Sequence, residues 1–109
     1  MARSTQILLL KKDDREYVVK FKWTVSRARD TYGYNICTAY VEGYKVGSCK
    51  GGGYDMKGVA LADWLKQFVK PEHNFYGLYR YDDGSVRLDG ACGLETLLNG
   101  LGFTYRWVE

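Results

Sequence analysis

Alternating apolar and polar residues predict strands in the N-terminal half of the chain. After residue 15, alternate positions are apolar and those between are mostly polar or basic, which is typical of a half-buried strand. The apolar positions are Tyr17, Val19, Phe21, Trp23 and Val25. Residues 6–11 form a predicted partner strand, and the polar residues 12–14 form the turn of a hairpin.

A second hairpin is predicted from residues 35–41 and 44–49, joined by a two-residue turn. The two-residue turn pairs Val41 with Tyr44, Ala39 with Val46, and Cys37 with Ser48. This register places Cys37 and Cys49 on opposite faces, which argues against a bond between them.

Two helices are predicted in the C-terminal half. Asp55 is the expected N-cap of the first helix, which runs to about residue 69 and ends before Pro71. Its apolar stripe consists of Leu61, Trp64, Leu65 and Phe68. A shorter helix is predicted from the same spacing of Leu94, Leu97, Leu98 and Leu101.

A third hairpin and a final strand complete the predicted order. Residues 75–81 and 85–88 flank an Asp-Asp-Gly turn signal, and residues 103–108 alternate again. The order ββββαββαβ predicts an α+β fold, with two helices packed on a mostly antiparallel sheet. We expect residues 1–109 to form one domain.

Composition adds two expectations. Aromatic residues make up 16% of the chain and include ten tyrosines, so some rings should lie at the surface, where tyrosine suits recognition. The apolar run Ile7-Leu8-Leu9-Leu10 is too short for a signal peptide or membrane span, and three cysteines suit reduced thiols. A cytoplasmic protein with no membrane partner is therefore expected.

The charge is uneven along the chain. Residues 1–50 contain ten Lys/Arg and five Asp/Glu, whereas residues 51–109 contain six and eight. The first half is therefore basic, although the bias is smaller than most nucleic-acid-binding domains carry.

The triglycine segment before the first predicted helix is a candidate binding turn. Backbone N–H groups around Gly52, with Lys50, Tyr54 and Lys57 nearby, can hold a phosphate or carboxylate. The Gly-Lys-Ser/Thr ending of a phosphate-binding loop is absent, so two interpretations stay open. The turn is either a structural connection between strand and helix or part of a binding edge.

A predicted loop over residues 27–34 supplies a second candidate group, Arg27, Arg29, Tyr32 and Tyr34. Interleaved charged and aromatic residues suit protein hot spots and nucleic-acid backbones alike. A solvated loop that partly covers the core is the alternative. If this loop lies near the triglycine turn, the two form one binding edge.

Catalytic and metal-binding patterns are weak. The single histidine, His73, lies in a predicted loop, no two of the cysteines have zinc-knuckle spacing, and Asp82-Asp83 is first a turn signal. We therefore expect no catalytic residues, no metal and no cofactor.

Three segments carry a resemblance to known proteins. Residues 30–35, 51–56 and 88–95 resemble short accessory proteins encoded by phages and other mobile elements, and the likeness spans residues 17–108. The resemblance implies a protein that acts inside a bacterial cell, in a class that includes anti-CRISPR and other anti-defence inhibitors. It carries over no functional residues.

Three functions remain open. A non-enzymatic inhibitor that binds a host defence protein or ribonucleoprotein is preferred, because tyrosines are abundant and catalytic groups are lacking. The second is a nucleic-acid-binding module that contacts phosphates through Lys20, Lys22, Arg27 and Arg29 and stacks tyrosines on bases. The third is a small enzyme or nucleotide binder that uses the triglycine turn.

Overall fold

The computed structural model describes residues 4–27, 33–51 and 54–108. The elements within them are β1 (Ser4–Lys12), β2 (Arg15–Arg27), β3 (Gly33–Val41), β4 (Tyr44–Gly51), α1 (Met56–Leu65), β5 (Leu78–Arg80), β6 (Val86–Leu88), α2 (Leu94–Leu101) and β7 (Thr104–Val108). Short 3₁₀ turns follow α1 at Lys66–Phe68 and precede α2 at Gly90–Cys92. The predicted α+β class and the order ββββαββαβ are confirmed.

Five strands form one antiparallel sheet in the order β4-β3-β2-β1-β7. The last strand pairs with the first, so Leu8 lies between Val19 of β2 and Trp107 of β7. Strands β5 and β6 form a separate two-stranded hairpin.

A β-bulge corrects the predicted register of the second hairpin. The pairing shifts between Ala39 and Tyr40, so that Ala39 lies opposite Gly47 instead of Val46. Beyond the bulge Cys37 lies directly opposite Cys49, and both are buried, so the prediction of opposite faces was wrong. The shift points Gly47 toward α1, where a side chain would collide with the Ala60 carbonyl.

The helices cover one face of the sheet, which we call the covered face. The four leucines of α2 are fully buried, and the predicted stripe of α1 packs toward the same core. Trp64 of α1 meets Tyr17 of β2 with ring centroids 5.1 Å apart, and Phe68 meets Phe103 at the same separation. Helix α1 also approaches the second 3₁₀ turn closely, since a Cβ on Gly58 would collide with the Gly90 carbonyl.

Asp55 occupies the predicted N-cap position of α1, but its side chain caps a different helix. No side-chain capping bond forms within α1, and Asp55 Oδ2 instead accepts a hydrogen bond from the Leu94 backbone N–H at 2.7 Å. Asp55 therefore ties the start of α2 to the start of α1. Among the described residues, none of the helices has the length and apolar character needed to cross a membrane.

Candidate functional site

The structure separates the two lysines that the sequence places beside the triglycine turn. Lys50 lies opposite Ile36 on the face of the sheet away from the helices. Lys57 lies on the covered side, 3.6 Å from Asp55 Oδ1, with its ammonium group 5.8 Å from the Trp23 ring centroid. Because Lys57 is already held by these groups, the two lysines do not converge on one anion site.

Tyr54 has a local structural role at the end of β4. Its hydroxyl donates a hydrogen bond to the Lys50 carbonyl at 3.0 Å and lies 3.2 Å from Cys49 Sγ. The hydrogen bond to Cys49 raises the pKa of Tyr54. The hydroxyl also packs over Gly51, whose φ of 135° favours glycine. These contacts favour the interpretation of this turn as a connection.

Of the other predicted site residues, Arg27 is the last residue of β2 and Tyr34 lies in β3, so the predicted loop over residues 27–34 was wrong at both of its ends. Arg29, Tyr32 and Gly52 lie outside the described residues. For Arg27 and Tyr34 the structure describes the backbone pairing, with Arg27 opposite Gly33 and Tyr34 opposite Ser26. The hypothesis of a shared binding edge stays a prediction.

The sheet has a second side, which we call the open face, whose described side chains are exposed or half-buried. Its cationic strand residues are Lys11, Lys20, Lys22, Lys45, Lys50 and Arg106. Glu16 is the acidic residue at its described strand positions. These strand positions therefore carry a formal charge of +5, whereas the whole chain carries +3.

Strand register brings three of the six cations together around one aromatic residue. Tyr40 of β3 lies directly between Lys20 of β2 and Lys45 of β4. The Cα atoms of the two flanking lysines are about 10 Å apart, because neighbouring strands lie roughly 4.8 Å apart. Lys22 completes the group, with its ammonium nitrogen 5.6 Å from the Tyr40 ring centroid.

A depression of about 440 Å³ lies at this point of the open face. It is lined by Val18, Lys20, Lys22, Tyr40, Glu42 and Gly43. The Glu42 carboxylate accepts a hydrogen bond from the Val18 backbone N–H at 2.6 Å. This carboxylate, at the rim of the depression, is therefore already hydrogen-bonded within the protein. Within the described part of the chain, neither Lys20 nor Lys45 forms an ion pair.

Sequence reasoning named Lys20 and Lys22 for phosphate contact but missed Tyr40 and Lys45. The signal was available, because these residues occupy the polar side of two adjacent predicted hairpin strands. The predicted register of the second hairpin places Tyr40 opposite Lys45, whereas the register of β2 against β3, which adds Lys20 and Lys22, comes from the tertiary fold.

Cys37 and Cys92 show no sign of an activated nucleophile. Burial raises the pKa of Cys37 to about 12, so this thiol stays protonated at neutral pH. Burial likewise raises the pKa of Cys92. No group of three or more His, Cys, Asp or Glu residues suited to a metal ion occurs in residues 4–27, 33–51 and 54–108.

Comparisons of the chain with protein-family models, with curated proteins and with solved structures return no match. The features of this protein that bear on its function are accordingly the geometry of the open face and the residues that form it.

Proposed function

We propose that the protein is a non-enzymatic binding protein that recognises nucleic acid through the phosphate backbone, using the open face. The concentration of charge there is the observation that supports the proposal. Six cations and one acid occupy the described strand positions of this face, whereas the rest of the chain is net acidic. Lysines that neutralise phosphates release condensed counterions, and this release drives binding without requiring a particular sequence.

The arrangement of apolar side chains favours nucleic acid over an anionic membrane. Ile7, Leu9 and Ile36 lie half-buried between the longer basic side chains. A membrane-binding face would present protruding apolar residues that enter the lipid. Among the described residues of the open face, the exposed large apolar side chains are two valines, Val18 and Val108, among six exposed cations. The face therefore suits a partner whose charge is on its outside.

A matched pair of double variants tests the proposal. Lys20→Gln with Lys45→Gln removes two charges beside Tyr40, whereas Lys66→Gln with Lys70→Gln removes two exposed charges away from the open face. Binding to a labelled oligonucleotide is measured by fluorescence anisotropy between about 50 and 200 mM salt. We expect the first variant to bind at least about 10-fold more weakly at low salt and to lower the salt slope by about 2.

Equal losses in the two variants would show that net charge, not this face, determines binding. No binding by the wild type at the lowest salt would refute the proposal. Vesicles containing phosphatidylserine serve as the competing anionic surface, and preference for them over the oligonucleotide would identify a lipid partner instead.

A second candidate is the inhibitor of a bacterial defence protein or ribonucleoprotein, acting in the host cytoplasm. The exposed tyrosines on and beside the β5–β6 hairpin favour it. Tyr76 is 75% exposed and Tyr81 is 52% exposed, and Arg87 lies 5.6 Å from the Tyr79 ring centroid. Tyrosine and arginine are enriched at protein hot spots.

Pull-down from bacterial lysate with and without nuclease distinguishes the candidates. Retention that survives nuclease and falls when Tyr76 and Tyr81 are changed to alanine would support a protein partner at the hairpin. Retention that disappears with nuclease, or that these changes leave intact, would count against it.

A further inference from the structure

We infer that the depression beside Tyr40 holds an unpaired base, so that the open face prefers single-stranded nucleic acid over a duplex. This inference rests on the proposed function but depends on a different observation. The proposed function needs only the positive charge of the face, whereas base recognition needs an aromatic ring within reach of that charge.

Tyr40 is suitably placed for stacking. Tyr40 is half-buried, and its backbone is held by strand pairing on both sides, with Lys20 on one and Lys45 on the other. A half-buried ring on a paired strand loses little conformational freedom when a base stacks on it. Every base has a flat π-face, so stacking of this kind tolerates different sequences.

Lys22 is the side chain that a bound base must displace from Tyr40. Its ammonium group lies 5.6 Å from the ring centroid, and the residue is exposed. An exposed cation–π contact is weaker than stacking of a base on an aromatic ring. Displacement therefore favours the base and frees the Lys22 ammonium for a neighbouring phosphate.

The shape of the face argues against a duplex. A protein reads the major groove by inserting a helix or a β-ribbon, and bases inside a duplex are stacked on each other. The described open face is a broad sheet surface, and the depression of about 440 Å³ is bounded by strand residues and one turn. A base can reach Tyr40 only when it is free of its complementary strand.

The experiment compares a short oligothymidylate carrying one 2-aminopurine with a duplex of the same length. We expect the wild type to bind the single strand at least about 5-fold more tightly, and 2-aminopurine fluorescence to fall on binding because the base stacks. Tyr40→Ala should lose that preference and the fluorescence change, whereas Tyr40→Phe should retain both.

Tyr44→Ala is the control, because Tyr44 follows the adjacent turn and is 78% exposed. The fluorescence change is measured on the wild-type protein. The inference can therefore be tested even if Tyr40→Ala does not fold. If single strand and duplex bind equally and no fluorescence change occurs, the inference is wrong. The proposed function would still stand if the change at Lys20 and Lys45 weakened both probes, and it would fail together with the inference if neither probe bound.

Discussion

The two faces of the sheet use lysine differently. On the covered side, Lys12 donates a hydrogen bond to the Leu101 carbonyl at 2.8 Å and lies 5.8 Å from the Phe103 ring centroid, while Lys57 packs on two tryptophans. On the open face, Lys20 and Lys45 are exposed and form no ion pair with a described residue. Lys12 and Lys57 on the covered side stabilise the fold, whereas Lys20 and Lys45 on the open face are available to a partner.

Adjacent residues of β1 give the strongest test of this contrast. Leu8 is fully buried on the covered face, and Leu9, next in sequence, is half-buried on the open face. Leu8→Ala should lower the free energy of unfolding by about 2–5 kcal/mol, because it leaves a cavity in the core. Leu9→Ala should lower the free energy of unfolding by well under half of that amount. Urea unfolding of both variants measures the difference, and equal costs would mean that the open face is covered in solution.

The close contact between α1 and the second 3₁₀ turn predicts the next largest effect. Helix propensity alone predicts that Gly58→Ala would stabilise the protein by about 1 kcal/mol. The added Cβ would instead meet the Gly90 carbonyl, so we expect a loss of about 1–3 kcal/mol. Asp63→Ala, at an exposed position of α1, should change stability by no more than about 0.5 kcal/mol. A stabilising Gly58→Ala would show that the two segments are further apart.

Asp55 predicts a smaller effect at the start of α2. Asp55→Ala should cost about 1 kcal/mol, because the Leu94 N–H loses its acceptor. Asp55→Asn keeps an acceptor oxygen and should recover most of the loss. If thermal or urea unfolding shows the two variants to be equally unstable, the ion pair with Lys57 contributes more to stability than the hydrogen bond to Leu94.

The effect that is smallest at neutral pH concerns Cys37, because it appears only at high pH. Burial raises the pKa of Cys37 from 9.0 to about 12, so the unfolded chain loses this proton before the folded chain does. Its contribution to stability is therefore complete below about pH 9 and declines as the pH rises toward 12. The stability difference between the wild type and Cys37→Ala should thus shift against the wild type between about pH 8 and pH 10.5. A difference that does not vary with pH would contradict the assigned burial.

Residue patterns predicted the elements well because each burial pattern has a simple period. The strict alternation around Phe21 fixed β2, and the four leucines at helical spacing fixed α2. Asp55 was correctly predicted at the N-terminus of α1, but the partner of its side chain could not be predicted. Leu94 is 39 residues away, and only the tertiary fold brings the two together.

The candidate site was predicted less well for a similar reason. Local signals such as consecutive glycines pointed to Tyr54 and Lys57. In the structure, both side chains are already engaged by residues close to them in sequence. The group around Tyr40 depends on the pairing of three strands, and the register of β2 against β3 was not predicted from the sequence. Each residue of that group is unremarkable within its own segment.

The β-bulge in β4 has a consequence for how this protein can change in evolution. Side chains alternate along a strand, so one extra residue reverses the orientation of everything that follows it. If β4 alternated regularly through Val46, with no bulge, Cys49 would point outward and Lys50 would point into the core. A one-residue deletion at the bulge would instead restore regular pairing and leave both residues on their present faces. This strand can therefore lose one residue here without exchanging the thiol and the cation, whereas a further one-residue insertion would need a second bulge to keep them in place.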